Sequence, residues 1–503
     1  MYIWPFKIAA DDEQVAQPAE AATEHRAGAG LPDGLRQFLL QRLPRHRVVL
    51  PGDANYFKAR RTFNERFNNL RPWAVILCEV EEDLRACLEG VQSYKVPFRI
   101  RAGGHSFAGF SSIGDGMVID VSGFNKVQVD PARLEASVGG GCKMKALQQG
   151  LGGLQLPTAT DKVGVGGYMQ GGGFDDNSRT YGMNSDNVLA VRVMLADGRV
   201  VPASETVNHD LWWAVRGGTG GNFGVLLEVR YALHRAPEQH AWSFFWPITK
   251  PADRALAAEV LVALQNEVLR GAGPELNAAA ELRRWPQEDA GPPTTFGLLV
   301  AGTYFGPEAA MHALLRPLAQ LEGQRNFVQP AASAAPIRVL RQARFVSELG
   351  LPDWQTLIDD FEAHANLNST LTLAGWGGAI SAYPVEKSAF VHRSAAFNIY
   401  VTGFWQDDQE ELKMQAYLAR WRSFIARFWN GGIYQNFADA DCPDYRSSYW
   451  GDAFPALLAV KRKYDPNGLF RFAQAIEARP GGQPPAVWPP TVVAWLDKPI
   501  EEA

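Results

Sequence analysis

The stretch RIRAGGHSFAGF at residues 99–110 presents one imidazole, His105, directly after two glycines and before Ser106. A neutral imidazole can act as a nucleophile as well as a proton carrier. Gly103 and Gly104 remove the side-chain bulk that would hold a second reactant away. Further glycine clusters follow at 139–141, 164–167, 171–173 and 217–221. Successive backbone N–H groups with no side chain over them can hold a pyrophosphate, so such clusters read as a phosphate cradle or, taken singly, as tight turns. They are not the usual nucleotide motifs. In GVGGYMQGGGF and GGTGGNFG, Met169 and Phe223 stand where GxGxxG needs its last glycine, and no GK[ST] is present.

The chain has 503 residues, which favours two or three packed units over one core. Its formal charge of -5 argues against a polyanion-binding surface, so nucleic acid is not expected as a partner. The four cysteines, Cys78, Cys87, Cys142 and Cys442, form no CxxC pair. Neither a metal site nor a disulfide framework is signalled, and buried free thiols in a reducing compartment are expected. The N-terminus MYIWPFKIAADDEQ lacks a basic region followed by a long apolar run, and no stretch reaches the roughly 18 apolar residues of a membrane span. A cytoplasmic protein with no membrane association is the expectation, and the sequence leaves its oligomeric state open.

The elements that position His105 can be read around it. AVILCEV (74–80) predicts a buried strand, EEDLRACLEGVQSYK (81–95) a helix with an acidic first turn, and FRIRAG a second strand. MVIDVSG and KVQVD predict shorter strands, and LAVRVMLADGRVV a hairpin. Near residue 236 the character changes. Residues 252–270 and 307–321 predict helices, FGLLVAGTYF a strand, and QPAASAAP (329–336) a loop or linker, within a mixed α/β domain from about 240 to 430. Met414, Tyr417, Trp421, Phe424 and Phe428 recur at helical spacing as a core-facing stripe. Residues 10–34 show little apolar periodicity and predict a mobile arm, with the folded part starting near Arg47.

Four motifs in order carry a resemblance: RIRAGGHSFAG, GVGGYMQGGGF with SRTYGM, DLWWAVRGGTGGNFGV, and the late YQNFADAD, YWG and KYDPNGLF. Together they resemble the berberine bridge enzyme-like flavoproteins of the vanillyl-alcohol oxidase fold superfamily. The resemblance spans about residues 50–235 and 430–477, with WGGAIS and FNIYVTGFW matching more loosely between them. It implies an α+β fold in which an FAD-binding domain of two α/β subdomains is interrupted by a substrate domain, whose antiparallel sheet, flanked by helices, roofs the isoalloxazine. The implied boundaries are an arm at 1–45, the FAD-binding domain at 46–236 and 431–480, the substrate domain at 237–430, and a tail at 481–503.

The resemblance also implies that His105 bonds the flavin 8α-methyl carbon. Many relatives carry a second anchor, a cysteine, where this chain has Thr160, so FAD is expected to be attached through His105 only. The other implied cofactor-binding positions are Arg101, Gly103, Gly104, Ser106, Thr160, Val163, Gly164, Gly166, Gly167, Gly171, Gly172, Gly173, Gly220, Gly221, Gly224, Val225 and Asn436. A small aliphatic residue at the Val163 position accompanies oxidase behaviour in the family, although Val163 reads equally well as a buried strand residue.

Taking a hydride from an alcohol requires removal of the hydroxyl proton, worth about 10²–10⁴ in rate. The family commonly uses the second tyrosine of YxNY, and this chain reads YQNF, with Phe437 at that place; a second acidic position used by some relatives is Asn398. Either another group takes over, with Tyr434, Tyr400, Asp175, Asp439 and Asp441 as candidates, or the substrate is an amine that needs no strong base. Asp175 and Asp176 are a further departure, either a solvated loop or a charge near the flavin. The expected function is an FAD-dependent oxidase acting on a small or medium alcohol, sugar or secondary metabolite, with molecular oxygen as acceptor and hydrogen peroxide as product. The alternatives are an amine or carbon–nitrogen oxidase, an oxidative cyclase, and a flavin-binding protein without redox turnover.

Overall fold

Runs of β-branched and aromatic residues resolve into three sheets in a computed structural model that describes residues 30–285, 295–325, 338–477 and 489–502. The first sheet contains β1 (Val48–Val49), β2 (Ala74–Leu77), β3 (Phe98–Arg101) and β4 (Met117–Asp120) in the order β1-β2-β4-β3. Strands β2, β4 and β3 are parallel, and the helix Glu81–Ser93 crosses between β2 and β3. The Asp83 carboxylate starts that helix by accepting the backbone N–H groups of Glu79 and Val80, groups that have no partner within the helix itself.

The second sheet is antiparallel, with β5 (Val127–Asp130), β6 (Glu135–Gly139), β7 (Val188–Met194), β8 (Val200–Ser204) and β9 (Val225–Ala232) in the order β5-β6-β9-β7-β8. The predicted hairpin is β7–β8. Its core is shared with the helices Met144–Gly150, His209–Val215 and Phe454–Tyr464, so the chain returns to this unit after the third sheet.

That third sheet is antiparallel throughout: β10 (Gln239–Pro247), β11 (Leu276–Trp285), β12 (Thr295–Phe305), β13 (Arg338–Val346), β14 (Thr370–Gly375) and β15 (Phe397–Trp405), in the order β10-β12-β11-β14-β15-β13. Successive side chains of a strand point to opposite faces, and the sequence obeys this closely. Ala278, Ala280 and Leu282 of β11, Leu371 and Leu373 of β14, and Ile399 and Val401 of β15 enter the core formed with the helices Pro251–Ala263, Glu308–Ala319, Leu351–His364 and Asp408–Ile425. The residues between them, among them Glu281, Thr372 and Tyr400, line a cavity on the other face. The stripe of Met414, Tyr417 and Trp421 is buried in the helical core, with Phe424 and Phe428 at its edge.

Two sequence expectations are corrected at the ends of the chain. Asp33–Arg42 is a helix whose Leu35 and Leu39 are fully buried against the parallel sheet, so folding begins before Arg47. The Leu35, Leu39 and Leu43 spacing is the signal, masked by the Ala- and Gly-rich residues that precede it. At the other end, Pro490–Leu496 is a helix with Val492 buried, and Asn208 bonds both backbone groups of Glu501. The tail is therefore docked on the second sheet's unit. The segment QPAASAAP lies outside the described residues. All four cysteines are buried free thiols, with the sulfurs of Cys78 and Cys87 3.8 Å apart. Among the described residues no helix is long and apolar enough to cross a membrane, and no cluster of metal-ligating side chains occurs.

Candidate active site

Strand β3 delivers the chain to His105 through three residues with different tasks. Arg101 does not face the cavity. Its Nε donates to Asp120 at 2.6 Å and its Nη2 to the Ala59 carbonyl at 2.5 Å, which ties the ends of β3 and β4 together. Gly103 lies against Gly164: a Cβ on Gly103 would sit 2.3 Å from Gly164 N, and one on Gly164 2.4 Å from Gly103 N. The glycine is needed there for a backbone crossing, not to clear space around the imidazole. Gly104 takes φ +66°, a left-handed conformation that favours glycine. His105 then stacks on Phe63 with ring centroids 3.7 Å apart. Burial, with the cations Arg341 and Lys162 adding to it, holds its pKa down at about 3, so the ring is neutral at physiological pH.

One cavity brings together most of the residues singled out in the sequence. Gly103, Gly104, His105, Ser106, Thr160, Val163, Gly164, Gly166, Gly167, Gly220, Gly221, Gly224, Val225 and Asn436 line it from the first two sheets and the 430s, and Glu281, Arg341, Thr372, Tyr400 and Phe437 form its roof. Gly171, Gly172 and Gly173 are not on its wall. A Cβ at Gly171 would strike Asn436, one at Gly172 would strike Phe390, and one at Gly173 would strike Asn184. They build the turn that carries Phe174, Asp175 and Asp176 to the cavity. None of the four cysteines reaches it.

The chain matches two family models, an FAD binding domain at residues 72–204 and a "berberine and berberine like" segment at 433–477. It is 30% identical over 456 residues to YvdP, an FAD-linked oxidoreductase of Bacillus subtilis, covering 86% of this chain and 97% of that one. The chain belongs to the berberine bridge enzyme-like FAD-linked oxidoreductases. Chitooligosaccharide oxidase of Gibberella zeae is 26% identical over 452 residues, covering 81% of this chain and 88% of the relative. Berberine bridge enzyme from Eschscholzia californica shares the fold, with a TM-score of 0.77 at 20% identity over 89% of this chain and 100% of that one.

The cavity of this berberine bridge enzyme-like protein fits FAD on its own chemistry. A Cβ on Gly167 would meet no atom within 4 Å, so the backbone there is bare toward the cavity. Ser111 Oγ and Gln435 Oε1 line the cavity and are buried without a hydrogen-bond partner, which leaves polar groups for an incoming ligand. The residues that would hold the cofactor are His105 and the glycine turns at 164–167 and 220–224.

Of the sequence candidates for a base, most are committed elsewhere. Tyr434 Oη accepts the N–H groups of Gly173 at 3.1 Å and Phe174 at 2.8 Å and the Asn436 amide at 3.0 Å, and burial raises its pKa. It pins the 171–174 turn. Tyr434→Phe removes the acceptor of the Gly173 and Phe174 N–H groups, while the Asn436 amide keeps the Tyr168 carbonyl at 2.8 Å, and it is expected to cost about 1–3 kcal/mol of stability in denaturant unfolding; an unchanged midpoint would contradict this. Asp175 accepts Thr158 N–H at 2.7 Å and Asn177 N–H at 2.8 Å, while burial pushes its pKa up to about 7. Asp439 pairs with Arg344 at 2.8 Å and Asp441 with Arg422 at 3.3 Å, both off the cavity wall. Tyr400 is on the roof, but burial pushes its phenol up to about 12, so it keeps its proton. Asn398 is fully buried and lies off the wall.

Two roof residues escaped the sequence reading. Arg341 donates to Thr402 Oγ1 at 2.9 Å and lies 4.4 Å from the centre of the Phe437 ring, 4.5 Å from Phe107 and 4.7 Å from Tyr400. Glu281 projects from β11. The available signal is alternation: in LNAAAELRRW, Glu281 falls on the face opposite the apolar Ala280 and Leu282.

Proposed function

We propose that the protein is an oxidase that holds FAD by one covalent link from His105 and oxidises an alcohol or sugar of small or medium size. The observation that carries this reading is the neutral, buried His105 on the same cavity wall as Thr160, with all four cysteines elsewhere. FAD, when bound, supplies a two-electron acceptor that takes a hydride and passes the electrons to oxygen, giving hydrogen peroxide. The chain's part is to present the neutral imidazole of His105 for attachment and to keep Val163 on the same wall. Phe107 and Phe437 exclude water from the roof. The Arg341 guanidinium is held against those two rings. A sugar-oxidising relative supports oligosaccharides as the first substrates to try. The same reading keeps the protein in the cytoplasm, where buried thiols stay reduced.

The test is an aerobic panel of oligosaccharides, primary and benzylic alcohols, and secondary amines, read as peroxide formed. Peroxide from an alcohol or sugar is expected. Peroxide from amines alone would replace this reading with carbon–nitrogen oxidation, and none from any compound with flavin bound would favour a protein without redox turnover.

A further inference from the structure

We propose that Glu281, on the roof strand β11, is the catalytic residue that takes the substrate hydroxyl proton, doing from the substrate sheet what Phe437 cannot do. The proposal rests on the alcohol-oxidase reading above. Glu281 lines the cavity and is only 5% exposed, and its Oε1 has nothing closer than a long ion pair to Arg283 Nη1 at 3.5 Å. Its register partner is Thr372 on β14, whose own partner is Tyr400 on β15. Three polar side chains thus cross the roof in one row, backed on the far face by an apolar core, which fixes the carboxyl on a sheet and not on a loop.

A buried carboxylate whose ion-pair partner stands off at 3.5 Å is incompletely compensated, which favours uptake of a proton. The charged and titratable groups facing it are Arg283 on its own strand, with Nη1 3.5 Å from Oε1, Arg341 from β13, Asp176 from the loop below, and the Tyr400 phenol. Burial pushes the Glu281 carboxyl up to about 7; Arg283 and Arg341 pull it down, and Asp176 pushes it further up. A base working near neutral pH needs a pKa close to that range. In the step, the substrate O–H bond breaks and the proton passes to Oε1, giving the neutral acid. The oxygen's electron pair closes the C=O bond as the carbon's hydrogen leaves with its pair to the two-electron acceptor of the oxidase reading, and the acid returns its proton to solvent.

Because the base form exists above its pKa, reduction in the wild-type holoenzyme should fall as pH drops below about 7. The test follows anaerobic flavin bleaching with cellobiose, N,N′-diacetylchitobiose or benzyl alcohol, whichever reduces the wild type. Glu281→Gln is expected to lower the saturating reduction rate by about 10²–10⁴ and to remove the inflection, with the acid-stable flavin content unchanged. Asp176→Asn removes a neighbouring negative charge and should shift the inflection to lower pH. A readout independent of turnover is the infrared difference between wild type and Glu281→Gln: a carboxylic acid band should disappear as pH rises through about 7. A Glu281→Gln rate equal to wild type, a rate lost in Asp176→Asn but kept in Glu281→Gln, or no such band overturns the proposal alone. Failure of every alcohol to bleach the wild-type flavin overturns the oxidase reading and this proposal with it.

Discussion

Replacing His105 with alanine is expected to yield a protein from which acid releases all of the flavin, and the wild type is expected to keep its flavin through acid precipitation. The expectation follows from what else lines the cavity. Thr160 has a hydroxyl and no thiol, and Cys78, Cys87, Cys142 and Cys442 are buried away from the wall. Burial and two nearby cations keep His105 neutral, which is the form with an electron pair to give. Alanine also loses the stacking partner of Phe63, but the glycine turns that would cradle the cofactor stay in place, so non-covalent FAD should still bind. Trypsin cuts after Arg101 and Lys126, and all of the wild-type flavin should travel on the peptide of residues 102–126. Acid-stable flavin in His105→Ala, or flavin on a peptide holding a cysteine, would place the link elsewhere.

Lys461→Met is the substitution expected to cost most in stability, about 3–5 kcal/mol, because it leaves a buried charge without its partner. Lys461 Nζ donates to Asp465 at 2.5 Å, to the Asn222 carbonyl at 2.6 Å and to the Phe470 carbonyl at 2.9 Å, with both ionic side chains buried. This ammonium joins the end of the helix Phe454–Tyr464 to the glycine turn around Asn222 and to Phe470, which lines the cavity. Methionine fills similar space but supplies none of the three hydrogens. Denaturant unfolding of the holoenzyme should show the loss, accompanied by weaker flavin retention once His105 is also removed. A Lys461→Met midpoint matching wild type would mean that the lysine contributes no net stabilisation.

Much of the site was legible because backbone requirements leave a mark in sequence. Gly164, Gly166, Gly167, Gly220 and Gly221 are on the cavity wall, and the strand before His105 is where its residues predict. The physical reason assigned to Gly103 was wrong, since a one-dimensional reading cannot show that residues 103 and 164 touch. Gly171–Gly173 misled for a related reason: a turn held by Tyr434 has the same composition as one that faces a phosphate. Glu281 and Arg341 went unseen because their chemistry depends on which face of a sheet they occupy and on strands far apart in sequence. The helix Asp33–Arg42 was missed because three leucines at helical spacing are a weak signal until a sheet is there to cover them.

The central claim is that the cavity beneath the third sheet is the site of an alcohol oxidation ending in peroxide. Its most direct test is a single turnover in two stages: the holoenzyme is mixed anaerobically with the best alcohol of the panel, then exposed to air. Loss of the oxidised flavin absorbance in the first stage, followed by its return with one peroxide per flavin, is the predicted result. Flavin that stays oxidised with every alcohol, or that once bleached is restored by an artificial acceptor but not by oxygen, would contradict it.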